Sequence, residues 1–273
     1  MKIVSFNINS VRLRIHQLAA LKEAIAPDII GLQETKVQDH EFPLAEIEAL
    51  GYQAVFIGQK THYGVAILYR QGITLNALQK GWRSDDELAQ KRLLVGDFTL
   101  ENGHQVRVLN GYFPQGENRE HPIKFPAKQK FYADLMDYLQ EECDPQQNLA
   151  VIGDFNISPT DLDIGIGEDN RKRWLRDGKT SFLPEERAMW TRLTDWGLFD
   201  TFRSLHPEVN DRYSWFDYRS KGFEREPKRG LRIDTVLASA PLNAKAIASD
   251  ISYTVRGMDK PSDHAPVWTE FSL

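Results

Sequence analysis

The rhythm of the chain changes after Gly51. Before it, the residues read strand, helix, strand, helix. KIVSFNIN is a β-rich run, Ser10 stands where an N-cap is expected, and Val11 to Ala26 carries apolar residues at helical spacing until Pro27. DIIGLQE is a second buried strand, and Pro43 to Leu50 is a short helix closed by Gly51. After it, YQAVFIG and GVAILYR are short strands a few residues apart. KRLLVGDFTL and HQVRVLNGYF flank the turn Glu101-Asn102-Gly103 as a β-hairpin. A helix is expected over 125–142, a strand from Leu149, another helix over 184–196, and strands at RIDTVLAS, ASDISYTV and APVWTEF. Hairpins mixed with helices exclude a strict βαβ barrel or a purely parallel sheet. Two β-sheets packed together with helices outside, in one domain over 1–273, is the economical arrangement.

The length, 273 residues, is enough to bury a large core. The apolar runs are too short to cross a membrane, and MKIVSFNINS lacks the apolar stretch and cleavage site of a signal peptide. Cys143 is the single cysteine, so no internal disulfide forms and a reducing cytoplasm is the expected compartment. Net charge is −5, which argues against nucleic acid at first sight. Charge is distributed unevenly, however. Arg171, Lys172, Arg173, Arg176 and Lys179 form one basic cluster, and Arg219, Lys221, Arg225, Lys228, Arg229 and Arg232 form another. Each is either a solvated face or a phosphate-binding patch. No linker, repeat or low-complexity tract divides the chain.

Polar residues collect where strands end. Asn7 closes the first strand and Glu34 the second; Asp154 and Asn156 close a third. Asp234 opens a strand, and Asp263 with His264 precede the last one. Scaffolds commonly carry functional groups at such ends. Alternate residues of an extended segment share a face, so Asp154 and Asn156 can converge while Phe155 turns into the core. Carboxylates and amides are hard donors suited to magnesium or manganese; zinc is disfavoured by a set without cysteine and with one clear histidine. Plainer alternatives stand beside this reading: Asp-Phe-Asn as an Asx turn, Glu34 as a surface acid, His264 as a hydrogen-bonded loop residue. Ser262-Asp263-His264 is no hydrolase triad, because no Gly-x-Ser-x-Gly elbow exists and adjacent residues cannot form the relay. GIGEDNRKR lacks the spacing of a phosphate-binding loop.

SFNINS, IIGLQETK, GYFPQG, VIGDFNISPTDLDIG, SWFDYRSKGF, RIDTVLAS and SDHAPV together resemble the exonuclease III family of abasic-site DNA-repair nucleases. That family is a branch of the endonuclease/exonuclease/phosphatase superfamily, and the likeness runs in order from Lys2 to about Phe271. LQET, GDFN and SDH are common to the superfamily and imply metal-dependent phosphoester hydrolysis. GYFPQGENREHPIKFPAK and RYSWFDYRSKGF are more specific to the branch. The resemblance implies an α/β, four-layered sandwich with two mixed sheets between helices. It implies Mg2+ as cofactor, with Mn2+ as substitute, and Glu34 as the principal ligand beside Asn7 and Asp263. Asp154 is implied as the base for the attacking water and Asn156 as its partner on the phosphate. Tyr112 and His264 are implied to stabilise phosphate charge, with Asp234 fixing the imidazole. Asp154, Asn156 and His264 serve also as ligands if a second ion binds.

The implied substrate is duplex DNA with abasic sites or damaged 3′ ends, handled by a monomer. Trp215, Phe216 and Leu231 are then expected to wall a pocket for the base-free sugar. Gln115, Lys124, Arg219 and the cluster containing Arg171 and Arg173 are expected to follow the backbone. Two other classes share some of these residues. One is hydrolysis of a phospholipid or inositol phosphate, against which the aromatic-basic stretch at Trp215 argues. The other is non-catalytic binding of damaged DNA, against which the intact set Glu34, Asp154, Asn156, Asp234 and His264 argues.

Overall fold

Short runs of β-branched and aromatic residues, broken by glycine and polar turns, give twelve strands in the computed structural model, which describes residues 1–273. They are β1 (Lys2–Asn7), β2 (Ile29–Gln33), β3 (Tyr52–Ile57), β4 (Val65–Arg70), β5 (Thr74–Lys80), β6 (Leu93–Thr99), β7 (Gln105–Tyr112), β8 (Leu149–Asp154), β9 (Leu198–Asp200), β10 (Asp234–Ser239), β11 (Ala246–Ile251) and β12 (Val267–Phe271). One sheet has the order β11-β12-β1-β2-β4-β3, the other β5-β6-β7-β8-β10-β9. Each contains a single parallel pair, β1·β2 and β7·β8, and every other pairing is antiparallel. Parallel neighbours need a crossover, and the helices Ile15–Ile25 and Lys124–Glu142 supply it.

The sheets face each other across a core that includes Ile3, Ile67, Phe98, Val108, Ile152, Val236 and Phe271. Leu18, Leu21 and Ile25 of the first crossover helix pack on the outer face of the first sheet with Val4 and Phe6. The second sheet's outer face is covered by helices Lys124–Glu142 and Pro184–Trp196, through Phe131, Leu135, Leu139, Trp190 and Leu193. The layers therefore run helix, sheet, sheet, helix, the expected four-layered sandwich. No helix is long and apolar enough to cross a membrane.

Some local expectations need correction. Ser10 does not cap a helix: its φ is +88° and its side chain makes no cap bond. The chain passes first through a 3₁₀ turn, Val11–Leu13, before the helix starts at Ile15. The run ASDISYTV is strand only to Ile251, and Ser252 then caps a helical turn, accepting from the Val255 amide. The edge strand β5 was not expected, because most of its side chains face solvent and it lacks an apolar alternation.

Gly153 is where the second sheet is tightest. A Cβ built on it would lie 1.9 Å from the Gly111 carbonyl oxygen, a backbone atom of the paired strand. Gly153→Ala must push β7 from β8, which also separates Tyr112 from Asp154. We expect a loss of about 3 kcal/mol, the upper range for overpacking, measured as a lower urea midpoint.

Candidate active site

The sheets deliver their polar ends to one place. In the second sheet Asp154 lies in register between Tyr112 on β7 and Asp234 on β10. In the first, Asn7 ends β1 beside Gln33, so that Glu34 follows directly at the same edge. His264 lies three residues before β12. The strand exits turn through left-handed backbone at Asn9, Ser10, Glu34, Lys36 and Asn156. For a non-glycine residue such as Glu34, with φ +52°, this costs of the order of 1–3 kcal/mol and persists only where the surroundings enforce it.

Asn156 meets the site by a different geometry from the extended one expected. The strand stops at Asp154, and Asn156 sits at φ +53° with its amide N donating to Asp154 Oδ1 at 3.1 Å. The Asx turn and the functional pair are therefore the same object. Phe155 is fully buried, as expected, stacked on Phe113 at 4.3 Å.

Asn7 ties the sheets together. Its Nδ2 donates to Glu34 Oε1 at 2.9 Å and to Asp154 Oδ2 at 3.0 Å, while its Oδ1 accepts from the Asn9 amide. In this arrangement Asn7 orients the carboxylates as a donor rather than offering its oxygen as a ligand. His264 Nδ1 donates to Asp234 Oδ2 at 2.8 Å, and its Nε2 lies 3.8 Å from Asp154 Oδ2. Asp234 is itself held by its backbone amide, which donates to Ser214 Oγ.

Burial shapes the charges. Desolvation raises the Asp154 pKa to about 7, opposed by His264. For His264 burial works against the charged form, but Asp234 and Asp154 outweigh it and lift the pKa to about 10. The imidazole is thus a cation near neutrality, with both nitrogens donors. Glu34 is also desolvated, yet Lys36 and Asn7 hold its pKa below the usual carboxylate value. Burial, Glu34 and Asp154 raise the Tyr112 phenol well above its ordinary value, so it keeps its proton.

One ligand atom from each of Glu34, Asp154 and His264 lies within 4.8 Å of the other two. The two carboxylates fit a hard divalent cation, and such an ion would relieve the reluctance of Asp154 to ionise. The charged His264 fits a phosphate better than a metal. Asp263 stands outside this cluster: its oxygens accept from Asn9 Nδ2 at 2.9 Å and Trp215 Nε1 at 3.2 Å.

Three neighbours carried no expectation. Lys36 Nζ bridges Glu34 Oε2 at 2.8 Å and Asn9 Oδ1 at 2.6 Å. Arg92 places its guanidinium over the rings of Tyr63 and Tyr112, 4.4 and 4.5 Å from their centroids, and donates to the Tyr112 carbonyl. Asn9 and Lys36 each lie two residues beyond an expected site residue, a spacing that hints at them. Nothing local in the sequence points to Arg92.

The expected DNA-contact residues divide. The segment Ser214–Phe216 runs between Asp263–Ala265 and Leu231 as a short extended strip. Successive side chains on such a strip point opposite ways. Trp215 keeps a half-buried face beside Asp263, whereas Phe216 is 0% exposed, locked against Phe223 and Tyr253. Leu231 is 1% exposed among Ile166, Phe182 and Ile233. Phe216 and Leu231 are therefore buried in this structure, and Leu231 belongs to the cluster against which Trp215 packs. Gln115 is exposed and anchored to Thr180 Oγ1 at 3.0 Å. Lys124 pairs with Glu117, and Arg171 with Glu168 at 2.8 Å. Arg173 donates to Asn170, and Arg219 is exposed with no side-chain partner.

The chain resembles known proteins in sequence and fold. Residues 4–264 match the model of the endonuclease/exonuclease/phosphatase family. The exodeoxyribonuclease III of Haemophilus influenzae is 55% identical over 271 residues, covering 99% of this chain and 100% of that protein. A 3′-5′ exonuclease from Neisseria meningitidis superposes with a TM-score of 0.88 at 35% identity, and both chains are fully covered. An AP endonuclease from Archaeoglobus fulgidus does so with a TM-score of 0.88 at 30% identity, again over 100% of both chains. Likeness this extensive in sequence and in the layers that build the site places the chain in the endonuclease/exonuclease/phosphatase family, within its exonuclease III branch.

Proposed function

We propose that this protein is a magnesium-dependent DNA-repair phosphodiesterase that incises duplex DNA 5′ to abasic sites and degrades it from 3′ ends, removing 3′ phosphates and 3′ phosphodiesters as well. The observation that carries the reading is the convergence of Glu34, Asp154 and His264 from two sheets, with Asp234 behind the imidazole. Hydrolysis of a phosphodiester needs an activated water, a fixed phosphate and compensation for developing negative charge. Asp154, once ionised, accepts the water's proton. Protonated His264 and the Tyr112 hydroxyl are donors aimed at phosphate oxygens, preorganised by Asp234 and Arg92 before reaction. Asn156 holds the water and phosphate beside Asp154. Glu34 and Asp154 hold the metal, which supplies Lewis acidity when bound. Manganese, also a hard ion, substitutes.

The substrate assignment rests on the rim. Trp215 is bridged to His264 through the backbone and has its indole anchored to Asp263, where it can pack on a deoxyribose that lacks a base. Arg219, Arg173, Gln115 and Lys124 are exposed, which supports contacts to the flanking backbone. The Neisseria relative is described with a product DNA hairpin as a 3′ phosphatase, which supports DNA and 3′-end chemistry for this chain. A complete site within one chain supports a monomer, acting as one domain in the cytoplasm.

A labelled duplex with one abasic site tests the reading. Incision 5′ to the site should require Mg2+, stop with EDTA, and fall at least about 10²-fold in Asp154→Asn, the range for losing a general base. No incision by folded wild-type protein with Mg2+ would sink the repair assignment. The pH profile follows from the two shifted groups. Bound Mg2+ favours the ionised form of Asp154, so the acid limb should lie below the metal-free value of about 7, and activity should fall at alkaline pH as His264 loses the proton that Asp234 and Asp154 hold on it. His264→Asn should lower the rate by roughly 10²-fold or more and abolish the alkaline fall; an unchanged profile shape would refute the role. Thermal unfolding checks the metal site without substrate. Mg2+ at 100 times its Kd should add about 2.7 kcal/mol, raising Tm by several degrees, and Glu34→Gln should lose that rise.

A further inference from the structure

The catalytic turn Asp154-Phe155-Asn156 leaves the sheet after Asp154, whose carbonyl accepts from the Phe113 amide at 2.9 Å. The buried Phe155 and Asn156 carbonyls must therefore find donors beyond the strand ladder. Both do. The Phe155 carbonyl accepts from the Tyr132 hydroxyl at 2.7 Å, and the Asn156 carbonyl from Lys128 Nζ at 2.8 Å. Lys128 and Tyr132 are four residues apart on the helix Lys124–Glu142 and so present to one face, one turn after the other.

Lys128 is 0% exposed, an uncommon position for a lysine. Its charge is matched by Glu186 Oε1, also fully buried, on the helix Pro184–Trp196. Glu186 Oε2 in turn accepts from the Ser181 and Leu183 amides, both at 2.8 Å. Lys128 Nζ also reaches the Gln115 carbonyl at 3.3 Å. A buried ion pair adds little net stability compared with apolar packing, so its directed bonds are the more informative property. Here those bonds run to a residue of the catalytic turn, to the Gln115 carbonyl and, through Glu186, to the buried Ser181–Leu183 segment.

We propose that Lys128 and Tyr132 are positioning residues, which fix the left-handed Asn156 turn so that Asp154 and Asn156 face the water and phosphate together, with Glu186 locking Lys128 in place. The inference rests on the catalytic reading of Asp154 and Asn156. Neither Lys128 nor Tyr132 touches substrate; each acts through a backbone carbonyl. A turn displaced by a fraction of an ångström keeps its DNA contacts but loses alignment for reaction.

The test uses the full chain carrying Tyr132→Phe, which removes one hydroxyl and keeps the ring, and Lys128→Met combined with Glu186→Gln, which leaves no unpaired charge. Leu139→Ala, buried on the same helix and making no hydrogen bond to the turn, controls for lost stability. Incision of the abasic duplex should show kcat reduced about tenfold or more in both test proteins, with KM within about twofold. Leu139→Ala should keep kcat within about twofold despite an equal or larger fall in Tm. Amide hydrogen exchange over 154–158 should be faster in both test proteins and unchanged in the control. If the double substitution fails to fold, Tyr132→Phe decides alone. A kcat within about twofold of wild type in Tyr132→Phe, with unchanged exchange, overturns the proposal. Wild-type protein inactive on the duplex would overturn the functional reading instead, and exchange would still decide whether these residues hold the turn.

Discussion

The side chain of Asn7 holds the site in one piece. Two carboxylates from different sheets approach each other there, and their repulsion in a desolvated pocket would drive them apart. The Asn7 amide gives each a hydrogen, and bonds to charged groups are worth about 1.5–3 kcal/mol each. Its backbone carbonyl matters as well. It accepts from Ser262 Oγ, which in turn accepts from the His264 amide, so the same residue sets where the histidine begins. Glu34, Asp154 and His264 thus share one reference point at the end of β1.

That reference point explains why the chemistry sits at the sheet edges and not on loops of their own. Within the strands, ladders satisfy the backbone and apolar side chains fix the register. At the exits the ladder ends, and left-handed residues turn the chain so that polar side chains point between the layers. Beneath them, Asn110 donates from the second sheet to the Leu32 and Ala66 carbonyls of the first, and accepts from Gln33 Nε2 at 2.6 Å. The sheets are therefore keyed by polar bonds just below the site, where apolar packing alone would permit sliding. Packing supplies the adhesion; the buried amides supply the alignment.

How much of this could be read from the residues depends on the range of the interaction. The hairpin β6–β7, the helix Pro184–Trp196 and the buried strand at Leu149 are local patterns, and they are legible. The convergence of Asn7, Glu34, Asp154, Asp234 and His264 was suggested by their strand-end positions, while their roles came from family likeness. Asn156 was placed correctly for an incorrect reason: alternation assumes a strand, and the Asx turn had already ended it. Phe216, expected in the pocket wall from family likeness, is buried here, since alternation next to an outward Trp215 sends it inward. Lys128 was passed over because a lysine in a helix reads as solvent-exposed. Only a partner 58 residues away, Glu186, makes its burial possible.

The net charge is a sum over the whole chain, whereas a partner meets the local distribution of charge. Several of the negative charges are consumed inside: Asp163 and Asp200 on buried Arg232, Glu186 on Lys128, Asp234 on His264. Others are paired at the rim, as Glu117 is with Lys124 and Glu168 with Arg171. Exposed pairs of this kind contribute between zero and about 1 kcal/mol, so a phosphate can take the carboxylate's place at little cost. The carboxylate left behind remains close, however, and repels the backbone that displaced it. Arg219, with no acid on its side chain, carries no such penalty.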